Sequence, residues 1–134
     1  MNKYAQSALR AVKLLRAGTH SPESAWQQAV AEVFPDSTSS QTKSCPRGAF
    51  LGLCRAGLVE GLPHNPTDPP DNGLNAAYAR TAVNLLRAEP QWASKKADDI
   101  WKSVMARIGS DPNKRANAQM DIVLTLWTAG LIRH

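Results

Sequence analysis

Cys45 is the residue of this 134-residue chain whose type and placement come nearest to chemistry. In "SCPRGAFLGLC", residues 44–54, it stands at the expected start of a helix, with Lys43 and Arg47 close by in sequence. Unpartnered backbone N–H groups and the helix dipole favour a thiolate at such a place, and the two cations add to that. The chemistry would be that of a single reactive thiol; a small residue filling a capping position accounts for the same placement. Cys54 follows the apolar face and is expected in the core. On one continuous helix the two sulfurs would lie about 180° apart around the axis and about 13 Å apart along it. A bond between them is then excluded. Free thiols fit a reducing compartment, so a cytoplasmic location is expected.

Gly48 and Gly52 lie one turn apart in the same stretch. Each glycine inside a helix costs about 0.5–1 kcal/mol relative to alanine, so the pair needs a reason. One reason is close approach of another helix, with the last helix of the chain as a candidate. The other is a groove in which a ligand or peptide meets the backbone, with Gly48, Gly52 and Asp121 as its residues. Asp121 belongs to a polar stripe of Lys114, Asn117, Asp121, Thr125 and Thr128. It fits a solvated or salt-bridged position better than a catalytic one, because no second acid, histidine or nucleophile stands at a useful spacing.

A second group of residues suits an anionic polymer. Ile108 is expected to end one helix, Gly109-Ser110-Asp111 to turn, and Pro112 to open the next, giving a helix-turn-helix-like corner over 97–129. Asn113, Lys114, Arg115, Asn117 and Gln119 follow, residue types that contact phosphates and base edges. Arg10, Lys13 and Arg16 form another basic face, either solvated or a dock for an acidic or phosphate-bearing partner. The net charge of +5 agrees with an anionic partner without requiring one.

His20, His64 and His134 have no metal-ligand spacing, and no metal site is expected. The glycines make no phosphate loop, and neither a serine-nucleophile motif nor a carboxylate pair is present. No catalytic residues and no cofactor are therefore expected, and a non-enzymatic protein is the better reading.

The elements that must carry these residues are legible from an internal repeat. "AVKLLRA" at 11–17 returns as "AVNLLRA" at 82–88, so Arg16 recurs as Arg87. Ala25, Trp26, Ala29, Val30 and Val33 match Ile100, Trp101, Val104, Met105 and Ile108. "LCRAGLV" at 53–59 matches "LWTAGLI" at 126–132, which sets Cys54 against Trp127. Three matches in one order point to a duplicated unit. Lys3, Arg10, Lys13 and Arg16, with no acid before Glu23, look superficially like a transit peptide, but the recurrence of this segment argues for a structural helix.

Each unit reads as three helices. The first copy, residues 1–60, places them at 4–17, from Ser21-Pro22 onward, and from Cys45-Pro46 to Gly57. The second copy, residues 74–134, places them at 75–88, 96–108 and 112–129, the last of them the central buried element. A Pro-rich linker spans 61–73. Trp26, Trp101 and Trp127 fall on apolar faces, and Trp92 in a loop. Short extended pieces fit "LVE" and "LIRH", but nothing alternates as a sheet would. The expected fold is all-α: about six helices, as two duplicated three-helix units packed around a pseudo-twofold axis into one globular domain. No run approaches 18 apolar residues, so no membrane partner is expected.

"SCPRGAFLGLCRAGLVEG", "YARTAVNLLRA" and "NAQMDIVLTLWTAGLI" together resemble a family of small, uncharacterised bacterial proteins, a domain of unknown function, over Ser44 to Ile132. The resemblance implies a bacterial cytosolic origin and carries no catalytic residue with it. The functional expectation is a helical binding or interaction module with a protein partner or a second copy of itself. The alternative is nucleic-acid binding through the 97–129 corner, and a third reading is action through Cys45.

Overall fold

The computed structural model describes residues 2–62, 73–111 and 113–133. The first two helices begin where the sequence supplies a cap. Asn2 caps α1 (Lys3–Arg16), its Oδ1 accepting from the N–H of Tyr4 at 2.8 Å and of Ala5 at 3.2 Å. Ser21 caps α2 (Pro22–Val33) through the Ser24 N–H at 3.1 Å, with Pro22 pre-set at the first helical position. A single turn, α3 (Thr38–Gln41), leads into α4 (Ser44–Arg55). The second half holds α5 (Leu74–Ala88), a 3-10 helix (Pro90–Ser94), α6 (Ala97–Ile108) and α7 (Gln119–Thr128). The fold is all-α, with six helices of ten residues or more among the described residues.

The ends of α4, α6 and α7 follow one device. Gly57, Gly109 and Gly130 sit at φ +71°, +76° and +74°, where a side chain would be strained. Beyond each, the next N–H reaches back to close the last turn: Leu58 to Leu53, Ser110 to Met105 and Leu131 to Leu126, at 2.9–3.0 Å.

The core is continuous across both halves. Ala8, Ala11 and Val12 of α1 meet Ala25, Trp26, Ala29 and Val30 of α2, and Trp26 stacks on Phe50 of α4 at 5.2 Å. α5 is the hub: it buries Ala76, Tyr78, Ala79, Ala82, Val83, Leu85 and Leu86, and packs on α4, α6, α7 and the 3-10 helix. The expected central element, α7, is shorter and ranks beside it, touching α1, α4, α5 and α6. Trp26 and Trp101 are buried, whereas Trp127 and Trp92 are partly so. Trp92 lies on the 3-10 helix and its indole donates to Glu89 at 3.1 Å.

The ends of the two halves meet. Val59 and Ile132 form an isolated antiparallel bridge, with Glu60 N–H on the Leu131 carbonyl at 2.7 Å and Arg133 N–H on the Leu58 carbonyl at 2.8 Å. Arg16 donates to the Glu60 carbonyl at 2.9 Å, and Arg87 donates through Nε to the Arg133 carbonyl at 3.0 Å. Both arginines thus clamp the backbone of the bridge, one from each half. Residues 63–72 of the expected linker, with His64, lie outside the described residues, as do Pro112 and His134.

Candidate functional site

The connection between α6 and α7 departs most from the sequence expectation and carries Lys114 and Arg115. The last helix does not run from 112; it starts at Gln119, so the turn and recognition helix of the expected 97–129 corner are not formed. The cause lies in three contacts. Asp111 Oδ1 accepts from the Asn113 N–H at 2.9 Å, and the Lys114 N–H closes a turn onto the Asp111 carbonyl at 3.0 Å. The Trp101 indole then donates to the Lys114 carbonyl at 2.7 Å, which ties the connection to α6. Finally Ala118 adopts φ +69°, a left-handed conformation that no α-helix interior contains.

This connection lies beside α6. Asp98, Trp101 and Lys102 from the helix and Lys114, Arg115 and Ala116 from the connection line a cleft of about 360 Å3. Lys102, Lys114 and Arg115 are exposed, so three cations face one carboxylate there. Lys114 is fixed at both ends. Its carbonyl is held by Trp101, and its Nζ donates to the Tyr78 hydroxyl at 2.7 Å while sitting 4.9 Å from the centre of that ring. Tyr78 and Trp101 meet edge to face at 5.1 Å and are 1% and 4% exposed, so they brace the cleft and present little face to a ligand.

The remaining nucleic-acid candidates separate. Asn113 is exposed on the connection. Gln119 is buried: its amide donates to Asn75 at 3.0 Å and its Oε1 accepts from the Asn117 N–H. Asn117 in turn donates to Cys45 Sγ at 3.8 Å. Cys45 is the second residue of α4 and partly buried, in contact with Asn117 of the connection that precedes α7. Cys54 packs against the core, and burial pushes its thiol up to about 12.

Gly48 and Gly52 face α5, not the last helix. A Cβ on Gly52 would lie 2.4 Å from the Ala76 Cβ and 2.6 Å from its Cα, and one on Gly48 would lie 2.9 Å from the Asn75 Cβ. The space along this face is taken by α5. Asp121 is half-buried on α7. Burial, with the Asp98 carboxylate as a lesser cause, raises its pKa above the usual range against the lowering effect of its own backbone N–H.

The basic face of α1 is largely committed within the fold. Arg10 pairs with Glu32 at 2.7 Å, and that bond, with a further one from Gln28, holds the Glu32 carboxyl below its usual range. Arg16 clamps the Glu60 carbonyl, and Lys13 is exposed. His20 shares a hydrogen bond with Ser24 at 2.9 Å. A larger hollow of about 410 Å3 is lined by Leu9, Ala93, Leu124, Thr125, Thr128 and Ala129; no charged group lines it.

The sequence brought Lys114 and Arg115 forward but missed Asp98, Lys102 and Tyr78. Asp98 and Lys102 stand four apart, an ordinary exposed helix pair with no outward sign of a site. Tyr78 joins from a helix 36 residues away.

A family model matches residues 1–133. The chain belongs to that family, a family of unknown function, DUF6979. No curated protein and no solved structure matches the chain. Membership therefore extends over more of the chain than the motifs between Ser44 and Ile132, and it assigns no activity. No helix among the described residues is long and apolar enough to cross a membrane.

Proposed function

We propose that the protein is a non-enzymatic binding module for an anionic partner, which docks at the cleft between α6 and the 109–118 connection. The observation that carries this reading is that Lys102, Lys114 and Arg115 line one hollow together with one acidic residue, Asp98. The net charge of +5 supports it, since a basic molecule draws anionic partners by long-range attraction. An acidic protein segment is the first partner. Nucleic acid is the second reading, favoured by Asn113, Lys114 and Arg115 standing exposed in sequence. Free Cys45 and Cys54 support a reducing, cytoplasmic setting. Origin by internal duplication is part of the proposal. Its support is that Arg16 and Arg87, matched in the repeat, make the same kind of contact to the same bridge.

The test is an anisotropy titration of labelled polyglutamate, single-stranded RNA and duplex DNA at about 50 and 200 mM salt, a range over which several phosphate contacts weaken by orders of magnitude. Saturable, salt-sensitive binding of at least one probe is expected. No binding of any probe at the lower salt would end this reading.

A further inference from the structure

We infer that the α6–connection cleft is a site for a phosphate monoester dianion, with Lys114 as its fixed cation and Tyr78 as the residue that positions it. The inference rests on the anionic-partner reading and narrows it to one chemistry.

Three features carry the choice. The lining charge is three cations less one carboxylate, or +2, which matches a doubly charged phosphate monoester better than a singly charged diester or carboxylate. The volume, about 360 Å3, falls in the range of small-molecule sites and leaves room for a modest organic group beyond the phosphate. Most telling is Lys114. Surface ammonium groups ordinarily sample many rotamers, and fixing one on a ligand costs entropy. Here the Tyr78 hydroxyl and ring already hold Nζ in place, and the Trp101 indole holds the backbone. Two of the three ammonium N–H groups remain for a ligand. Arg115 adds a planar fork suited to two phosphate oxygens, and Lys102 adds charge from the helix side. The buried indole and phenol rings serve as bracing, so recognition comes from charge and not from stacking.

A phosphate monoester can arrive free, as in a nucleotide, or on a serine of a protein, and both offer the same head group. The experiment is therefore NMR mapping on the 15N-labelled full chain with four probes: AMP, adenosine, a short phosphoserine peptide and polyglutamate. AMP or the phosphopeptide should shift the Trp101 indole proton and the Lys102 and Arg115 amides, while adenosine leaves them in place. Which of the two shifts them identifies the source. Lys114→Ala should weaken that binding about tenfold, as expected for a lost charged hydrogen bond. Tyr78→Phe should weaken it about threefold while leaving the free Trp101 indole resonance where it was, so that a loss of position is told apart from a loss of structure.

Polyglutamate binding at this cleft with no response to either phosphate ester would overturn the inference and leave the anionic-partner reading standing. Equal shifts from AMP and adenosine, or shifts that map away from Lys102 and Arg115, would overturn it too. Silence from all four probes would overturn it as well, and the anionic-partner reading would then stand or fall on the RNA and duplex DNA titrations.

Discussion

At the residue scale the molecule holds two positions where local preference and fold disagree. Ala118 at φ +69° occupies a region that costs an L-residue about 1 kcal/mol or more and glycine almost nothing. Ala118→Gly should therefore raise stability by about 0.5–1 kcal/mol, measured as a later urea midpoint with unchanged slope. Asp121 is the other. Its folded pKa lies above its unfolded value, so the native state binds more protons across the interval between them. Stability attributable to this group is then highest below the unfolded value and falls as pH rises through the folded one. Asp121→Asn should move the urea midpoint upward at pH 7 and make no difference near pH 3. Gln119, a polar residue buried between Asn75 and Asn117, works in the opposite sense. Replacing it with leucine should cost about 1–3 kcal/mol, because its partners lose their bonds inside the protein.

At the element scale, α5 packs directly onto α4 at Gly48 and Gly52, which have no side chains to separate the two helices. Gly52→Ala gains helix propensity but drives a methyl into the Ala76 backbone. The overlap should dominate, with a net loss of about 1–3 kcal/mol in chemical denaturation. Gly48→Ala meets only the Asn75 side chain at 2.9 Å and should cost less. The starts of α1 and α2, and the glycine-closed ends of α4, α6 and α7, were all legible in the sequence, because caps and left-handed glycines are local features. The start of α7 was not. "PNKRANA" carries good helix formers, yet Trp101 of α6 holds the Lys114 carbonyl and Ala118 is left-handed. A tertiary hydrogen bond overrode propensity, which no local reading of 112–118 contains. Two of the three cleft cations were named from sequence all the same, because Lys114 and Arg115 stand together in a polar run. Lys102 and Tyr78 became visible only when three separate elements met.

At the scale of the whole molecule, the two halves share one core and close on one another at the Val59–Ile132 bridge, each with an arginine on the bridge backbone. Arg10 and Arg16 of α1 serve the α1–α2 contact and this closure, while the cleft beside α6 gathers three cationic residues around a hollow. The most direct test compares the chain with its Lys102→Ala/Arg115→Ala variant. Both would be titrated into the anionic probe that the unaltered chain binds best, at about 50 mM salt, after matched circular dichroism spectra. Both substitutions are at exposed positions, so the fold should be kept. The account predicts at least a tenfold loss of affinity and a shallower dependence on salt, since two fewer charges displace counterions. Equal affinity and an equal salt slope in the two proteins would place the binding surface elsewhere and contradict the assignment of the cleft.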